Sequence, residues 1–173
     1  MEFSSNRLDF RLVKAADREI FISLYRDPKV MRKIGSVLSE TEAGDLFESV
    51  IRTNQKKHFK QYVWGVFDKQ TKLHCGLIML KTISERKCEI GIMLDQKKNG
   101  KGYSLEALSR ACRFALTNLE QSEVIGRFAK SHFVIKKQLI QLGFSFRSDS
   151  DCADRADCSV VEAYASEATL QIL

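Results

Sequence analysis

Gln96-Lys97-Lys98-Asn99-Gly100-Lys101-Gly102-Tyr103 lies between an apolar run, Cys88-Glu89-Ile90-Gly91-Ile92-Met93-Leu94, and a periodic stretch over residues 104–119. The first run is rich in β-branched and apolar side chains, as a buried strand is. In the second, Leu105, Leu108, Cys112, Ala115, Leu116 and Leu119 recur at helical spacing. The order is strand, glycine loop, helix. Two glycines one residue apart let the backbone turn sharply with its N–H groups outward, where a helix N-terminus adds unpaired donors and partial positive charge. Such a loop suits a phosphate group.

Two nucleotide loops fail on spacing. In GxxxxGK[ST] a hydroxyl residue follows the lysine, but here Gly100-Lys101 is followed by Gly102 and the upstream glycine is missing. In GxGxxG the third glycine would fall on Leu105, and no later strand ends in an acid about 20 residues on.

Upstream of the loop, residues 7–13 alternate polar and apolar, as a half-buried strand does. Helical spacing from Asp17 carries Ile20, Phe21, Leu24 and Tyr25 and is broken by Asp27-Pro28, and residues 29–35 read as a short helical turn ended by Gly35 and bordering a substrate groove. Ser39 and Glu42 predict a capping box, and Ala43, Leu46, Phe47, Val50 and Ile51 a helix reaching about residue 57. Residues 62–67, 73–81 and 88–94 read as antiparallel strands with short polar connections. Downstream, residues 124–128 read as a strand and 133–142 as a helix capped by Gly143; 144–147 and 160–164 follow as two last strands. The loop with Asp149, Asp151, Asp154 and Asp157 lacks calcium-loop spacing and reads as solvated, so no metal is expected.

With 173 residues, 44% hydrophobic and 29% charged, a single soluble domain is expected over residues 1–173. No apolar run reaches the ~20 residues that span a bilayer, and no signal peptide is visible, so a cytoplasmic location is expected. Five cysteines without metal spacing fit a reducing compartment; Cys75, Cys88 and Cys112 lie in apolar patterns as buried hydrophobes, while Cys152 and Cys158 flank the acidic loop. The net charge of +6 admits an anionic ligand. Nucleic acid is not expected, because the basic pairs lack interleaved aromatics.

The element order, together with Arg7-Leu8, Arg11-Leu12, Asp17, Asp27-Pro28-Lys29-Val30, Glu89-Ile90-Gly91, Gly100-Lys101-Gly102-Tyr103, Glu106-Ala107-Leu108 and Leu142-Gly143-Phe144, resembles the GNAT superfamily of acyl-CoA N-acyltransferases. Within it the motifs look like the branch of ribosomal-protein-alanine N-acetyltransferases. The resemblance implies an α/β fold with a mixed, mostly antiparallel sheet of about seven strands flanked by about four helices. It implies acetyl-CoA as co-substrate, with its pyrophosphate on Lys97, Lys98, Asn99, Gly100, Lys101 and Gly102 and on the helix opened by Tyr103 and Ser104. Lys97 replaces the family's Arg or Gln. Backbone near Met93 and Leu94 is implied to pair with the pantetheine arm.

The implied reaction is attack of a neutral amine on an acetyl thioester, the acceptor being a protein N-terminus or a small amine. Glu89 is the candidate base, with a structural glutamate bonded to backbone or Arg86 as the alternative. His132 aligns with the family's pantetheine-contacting Asn and is a candidate proton donor and cofactor contact; Ser131 and Tyr103 are nearby alternatives. The family's Ser and Tyr positions hold Ile135 and Leu139. Those departures leave a non-catalytic acyl-CoA-binding module as an alternative, and the charge leaves a ribosome- or RNA-associated protein. Monomer and homodimer are equally compatible with the sequence.

Overall fold

The computed structural model describes residues 1–32, 34–56, 58, 60–146 and 160–171. Its elements run β1 (Glu2–Ser4), β2 (Leu8–Leu12), a 3-10 turn (Ala15–Asp17), α1 (Arg18–Arg26), α2 (Pro28–Met31), α3 (Glu40–Asn54), β3 (Gln61–Asp68), β4 (His74–Ser84) and β5 (Lys87–Leu94). A second 3-10 turn (Gln96–Lys98) leads to α4 (Tyr103–Asn118), β6 (Glu123–Ala129), α5 (Phe133–Gln141), β7 (Ser145–Phe146) and β8 (Val160–Ala165). The described strands make one sheet of order β1-β2-β3-β4-β5-β6-β8-β7. Every pairing is antiparallel except β5 with β6.

The mixed, mostly antiparallel sheet agrees with the sequence reading, with eight strands among the described residues where about seven were expected and five α-helices there where about four were expected. The added strand is β1, too short to show a period; the short helical turn expected over residues 29–35 forms as α2, which Asp27 caps by accepting the Lys29 amide at 2.8 Å just before Pro28. The capping box of α3 forms as expected, the Ser39 hydroxyl accepting from the Glu42 amide and Glu42 accepting from the Ser39 amide at 2.8 Å. Cys152, Cys158, the acidic loop and Arg147 lie outside the described residues.

Both faces of the sheet are covered, so its central strands read as nearly continuous apolar runs while their side chains still alternate. Trp64, Ile78, Leu80, Cys88 and Ile90 pack with Leu108, Cys112 and Ala115 of α4. Val63, Leu77 and Met93 face the other way, against Phe21 and Leu24 of α1 and Phe47 and Val50 of α3. Cys75, Cys88 and Cys112 are free and buried, and burial pushes the Cys88 thiol up to about 12. They serve as small hydrophobes.

His74 opens β4 with its ring edge-on to Phe67 at 5.2 Å, and its buried Nε2 has no hydrogen-bond partner among the described residues. Burial lowers its pKa from 6.5 to about 4; the charges of Asp17 and Asp95 act upward and that of Arg11 downward. A histidine held neutral in the native state takes up its proton more readily when unfolded, so stability is full above pH 6.5 and falls as pH drops towards 4. The contribution is at most about 3 kcal/mol. Urea unfolding from pH 7 to pH 4 is expected to show a shallower loss of stability for His74→Gln than for wild type; parallel curves exclude His74 as the group responsible.

Candidate active site

β5 and β6 pair in parallel through Lys87↔Glu123, Cys88↔Val124, Glu89↔Ile125 and Ile90↔Gly126, and there the pairing stops. Both strands continue, β5 to Leu94 and β6 to Ala129, so they fork. The fork holds a cavity of about 520 Å³ whose walls come from both layers, including Tyr25, Leu77 and Met79 on one side and Leu108, Ile135 and Leu139 on the other. Its floor includes the β5 residues from Glu89 to Met93. Beyond Ile90 this edge of β5 has no partner strand among the described residues.

The glycine loop follows β5 directly. Asp95 accepts from the Lys97 amide at 2.8 Å and starts the 3-10 turn. Gly100 and Gly102 have φ of 77° and 76°, the left-handed region that favours glycine. A Cβ on Gly100 would meet nothing within 4 Å, so that position is constrained by backbone conformation alone; one on Gly102 would lie 3.3 Å from Arg7 Nη2. Gly102 is the N-cap of α4 and no side chain caps it. The amides of Tyr103, Ser104 and Leu105 therefore open the helix without intrahelical acceptors. Lys97, Asn99 and Lys101 are exposed around this turn and Lys98 is half-buried.

Arg7, which the sequence analysis did not place in the site, braces the loop from behind. Its Nη1 donates to the Lys101 carbonyl at 2.9 Å, its Nε to Glu106 at 2.7 Å, and its guanidinium lies 4.8 Å from the centre of the Tyr103 ring. Glu106 also accepts from the Arg7 amide and the Ser5 hydroxyl, each at 2.7 Å. Burial works against ionisation of Glu106, but these hydrogen bonds and the Arg7 charge hold its carboxyl below the usual range.

The Tyr103 hydroxyl donates to Asp68, which also accepts from the amides of Gln70 and Thr71. The Tyr103 bond is the largest of the effects that hold the Asp68 carboxyl well below the usual range. Tyr103 thus ties α4 to the end of β3 and does not line the fork, so its hydroxyl is not placed there as a proton donor. The Ser104 hydroxyl donates to Gln138 of α5 at 2.8 Å, leaving its amide for the loop. Met93 is buried and lines the fork, and Leu94 is half-buried beside it.

Glu89 stands one step before the last β5–β6 pair and lines the cavity in the fork. Its Oε2 accepts from Arg127 Nη1 at 2.6 Å, and Arg127 Nε donates to buried Glu162 at 2.9 Å. Arg127 and Glu162 are directly opposite on β6 and β8. Burial acts to lower the arginine's pKa, but Glu162 and Glu89 together raise it. Arg86, suggested by proximity in sequence, instead donates to the Glu120 carbonyl at 3.4 Å. His132 is the N-cap of α5: its Nδ1 accepts from the Ile135 amide at 3.3 Å, and the residue does not line the fork.

A helix opened by left-handed glycines beside forked parallel strands, on this sheet order, is the arrangement of an acyltransferase of the GNAT type. The chain belongs to the GNAT acetyltransferase family: the profile of the acetyltransferase (GNAT) domain matches residues 7–145. Comparison with curated proteins gives no match. Among solved structures, the spermidine N-acetyltransferase from Vibrio cholerae in complex with CoA and spermine aligns with a TM-score of 0.78 at 19% identity, over 94% of this chain and 97% of that one. An acetyltransferase from Agrobacterium tumefaciens aligns at 0.81 and 15% identity, over 96% and 95%. A putative ribosomal-protein-serine acetyltransferase from Vibrio cholerae aligns at 0.74 and 17% identity, over 96% and 97%. At these identities the likeness is one of fold.

Proposed function

We propose that the protein transfers an acetyl group from acetyl-CoA to a primary amine, either a protein N-terminus or a small amine, with Glu89 as the base. The observation that carries this reading is Glu89 at the fork, joined through Arg127 to Glu162. The Glu89 carboxylate is half-buried at the fork, where it attracts an ammonium group more strongly than it would in water. Glu89 takes the ammonium's proton, directly or through water, and frees the nitrogen lone pair.

The fit to the co-substrate rests on the loop and the fork. The amides that follow Gly100 and Gly102, including those of Tyr103 and Ser104, would hold the pyrophosphate, with Lys97, Lys98 and Lys101 adding positive charge and Asn99 shaping the turn. The unpaired edge at Met93 and Leu94 would take the pantetheine arm as an added strand. When bound, acetyl-CoA supplies a thioester carbonyl open to attack. The departing thiolate is a fair leaving group and takes its proton from solvent in this scheme, since His132 is occupied as a helix cap and Ile135 and Leu139 are apolar.

A second reading, acyl-CoA binding without transfer, is favoured by the commitment of Glu89 to Arg127 and of His132 to its cap. Incubation with acetyl-CoA and a panel of peptides with free N-termini, monoamines and polyamines separates the two. Release of CoA thiol with a mass gain of one acetyl group on any amine supports transfer. Saturable acetyl-CoA binding without acetylation of any amine establishes the non-catalytic reading.

A further inference from the structure

A second cavity, of about 490 Å³, lies on the flank of α4 opposite Ser104 and Leu108, against the turn between β1 and β2. Arg7, Arg110 and Arg113 line it together with Ser5, Asn6 and Ser109. Glu106 is the carboxylate in its wall and is committed to Arg7 and Ser5. Arg110 and Arg113 are therefore left without a counter-charge among the described residues. Arg110 is held in place, its Nε donating to the Ser4 carbonyl at 2.7 Å and its guanidinium lying 5.1 Å from the centre of the Phe3 ring. Arg113 Nη2 is buried and has no hydrogen-bond partner among the described residues.

Two guanidinium groups three residues apart on a helix share a face, and like charges there repel. Burial first, and then the Arg113 charge, hold the Arg110 pKa below its ordinary value. An oxyanion bound between their accessible donors would relieve that repulsion, and a tetrahedral dianion offers enough acceptor oxygens for two guanidinium groups.

We propose that this cavity binds a phosphate-class oxyanion, free or as a phosphomonoester, with Arg113 and Arg110 as its ligands. The cavity is larger than a free phosphate and leaves room for an ester group. It meets the glycine loop only at Gly102, and Arg7 stands between the two.

Amide and arginine Nε resonances of the full chain, saturated with acetyl-CoA so that the loop is filled, are followed by nuclear magnetic resonance. Inorganic phosphate and phenyl phosphate are titrated against sodium chloride at equal ionic strength. Saturable shifts at the Arg113 Nε–H and at residues 109–113 are expected with phosphate and not with chloride, with affinity at least tenfold weaker in Arg113→Met. Tighter binding of phenyl phosphate identifies the ester as the preferred form, and equal or weaker binding the free anion. Equal shifts in chloride, unaltered affinity in Arg113→Met, or shifts confined to residues 100–104 overturn the proposal. If Arg113→Met lowers the melting temperature, Arg113→Lys decides: it keeps the charge but loses the fork, and wild-type affinity there also overturns it. Loss of phosphate binding on saturation with acetyl-CoA overturns a separate site.

Discussion

Acetyl-CoA at a hundred times its Kd is expected to stabilise the wild-type protein by about 2.7 kcal/mol, and Gly102→Trp to abolish that gain. At φ 76° Gly102 occupies a conformation that costs an L-residue about 1–2 kcal/mol, and its Cβ would lie 3.3 Å from Arg7 Nη2. Both effects disturb the turn that presents the amides proposed to hold the pyrophosphate. Since the substitution lowers the stability of the free protein as well, each protein is its own reference and thermal melts are compared with and without acetyl-CoA. Gly100→Ala is the milder control, because its Cβ meets nothing within 4 Å. A ligand-induced shift of equal size in wild type and Gly102→Trp rules out the loop as the binding site.

Glu89→Gln is expected to lower turnover by about 10²–10⁴ while leaving the acetyl-CoA shift in place. Glutamine keeps the shape of the side chain, and its carbonyl oxygen still accepts from Arg127, so the β5–β6–β8 cluster is preserved. What it loses is the capacity to take a proton from an ammonium. Steady-state assays at saturating acetyl-CoA, paired with the thermal shift, separate this loss from a binding defect. Unchanged kcat removes Glu89 as the base and leaves it the structural partner of Arg127.

The element order was legible because breaks in the chain are marked by residues with local causes: Asp27-Pro28, the Ser39–Glu42 box, and the two loop glycines. The glycine loop was legible for the same reason, since its geometry depends on residues adjacent in sequence. The side-chain partners in the site were not. Arg127 reads in isolation as an ordinary polar residue of a strand, and only the sheet order places it between Glu89 and Glu162, 38 and 35 residues away. Proximity in sequence favoured Arg86, which the β4–β5 connection directs to Glu120 instead. Likewise the helix was expected to begin at Ser104 and begins one residue earlier, at Tyr103, but the hydroxyls of both residues are claimed by Asp68 and Gln138, which no local pattern reveals.

The fork between β5 and β6 also bears on self-association. Strand edges with unpaired backbone groups invite other chains to add to them, and proteins usually protect them with charge, bulges or covering elements. Here a length of edge without a partner strand among the described residues lies in the middle of the sheet, where β4 closes one side and side chains from α1, α4 and α5 crowd the other. A second sheet is too broad to reach it, while a single extended arm is thin enough to enter. The same hydrogen-bonding groups that would be a hazard at the rim of the sheet thus lie where a single extended arm fits and the edge of a second sheet does not.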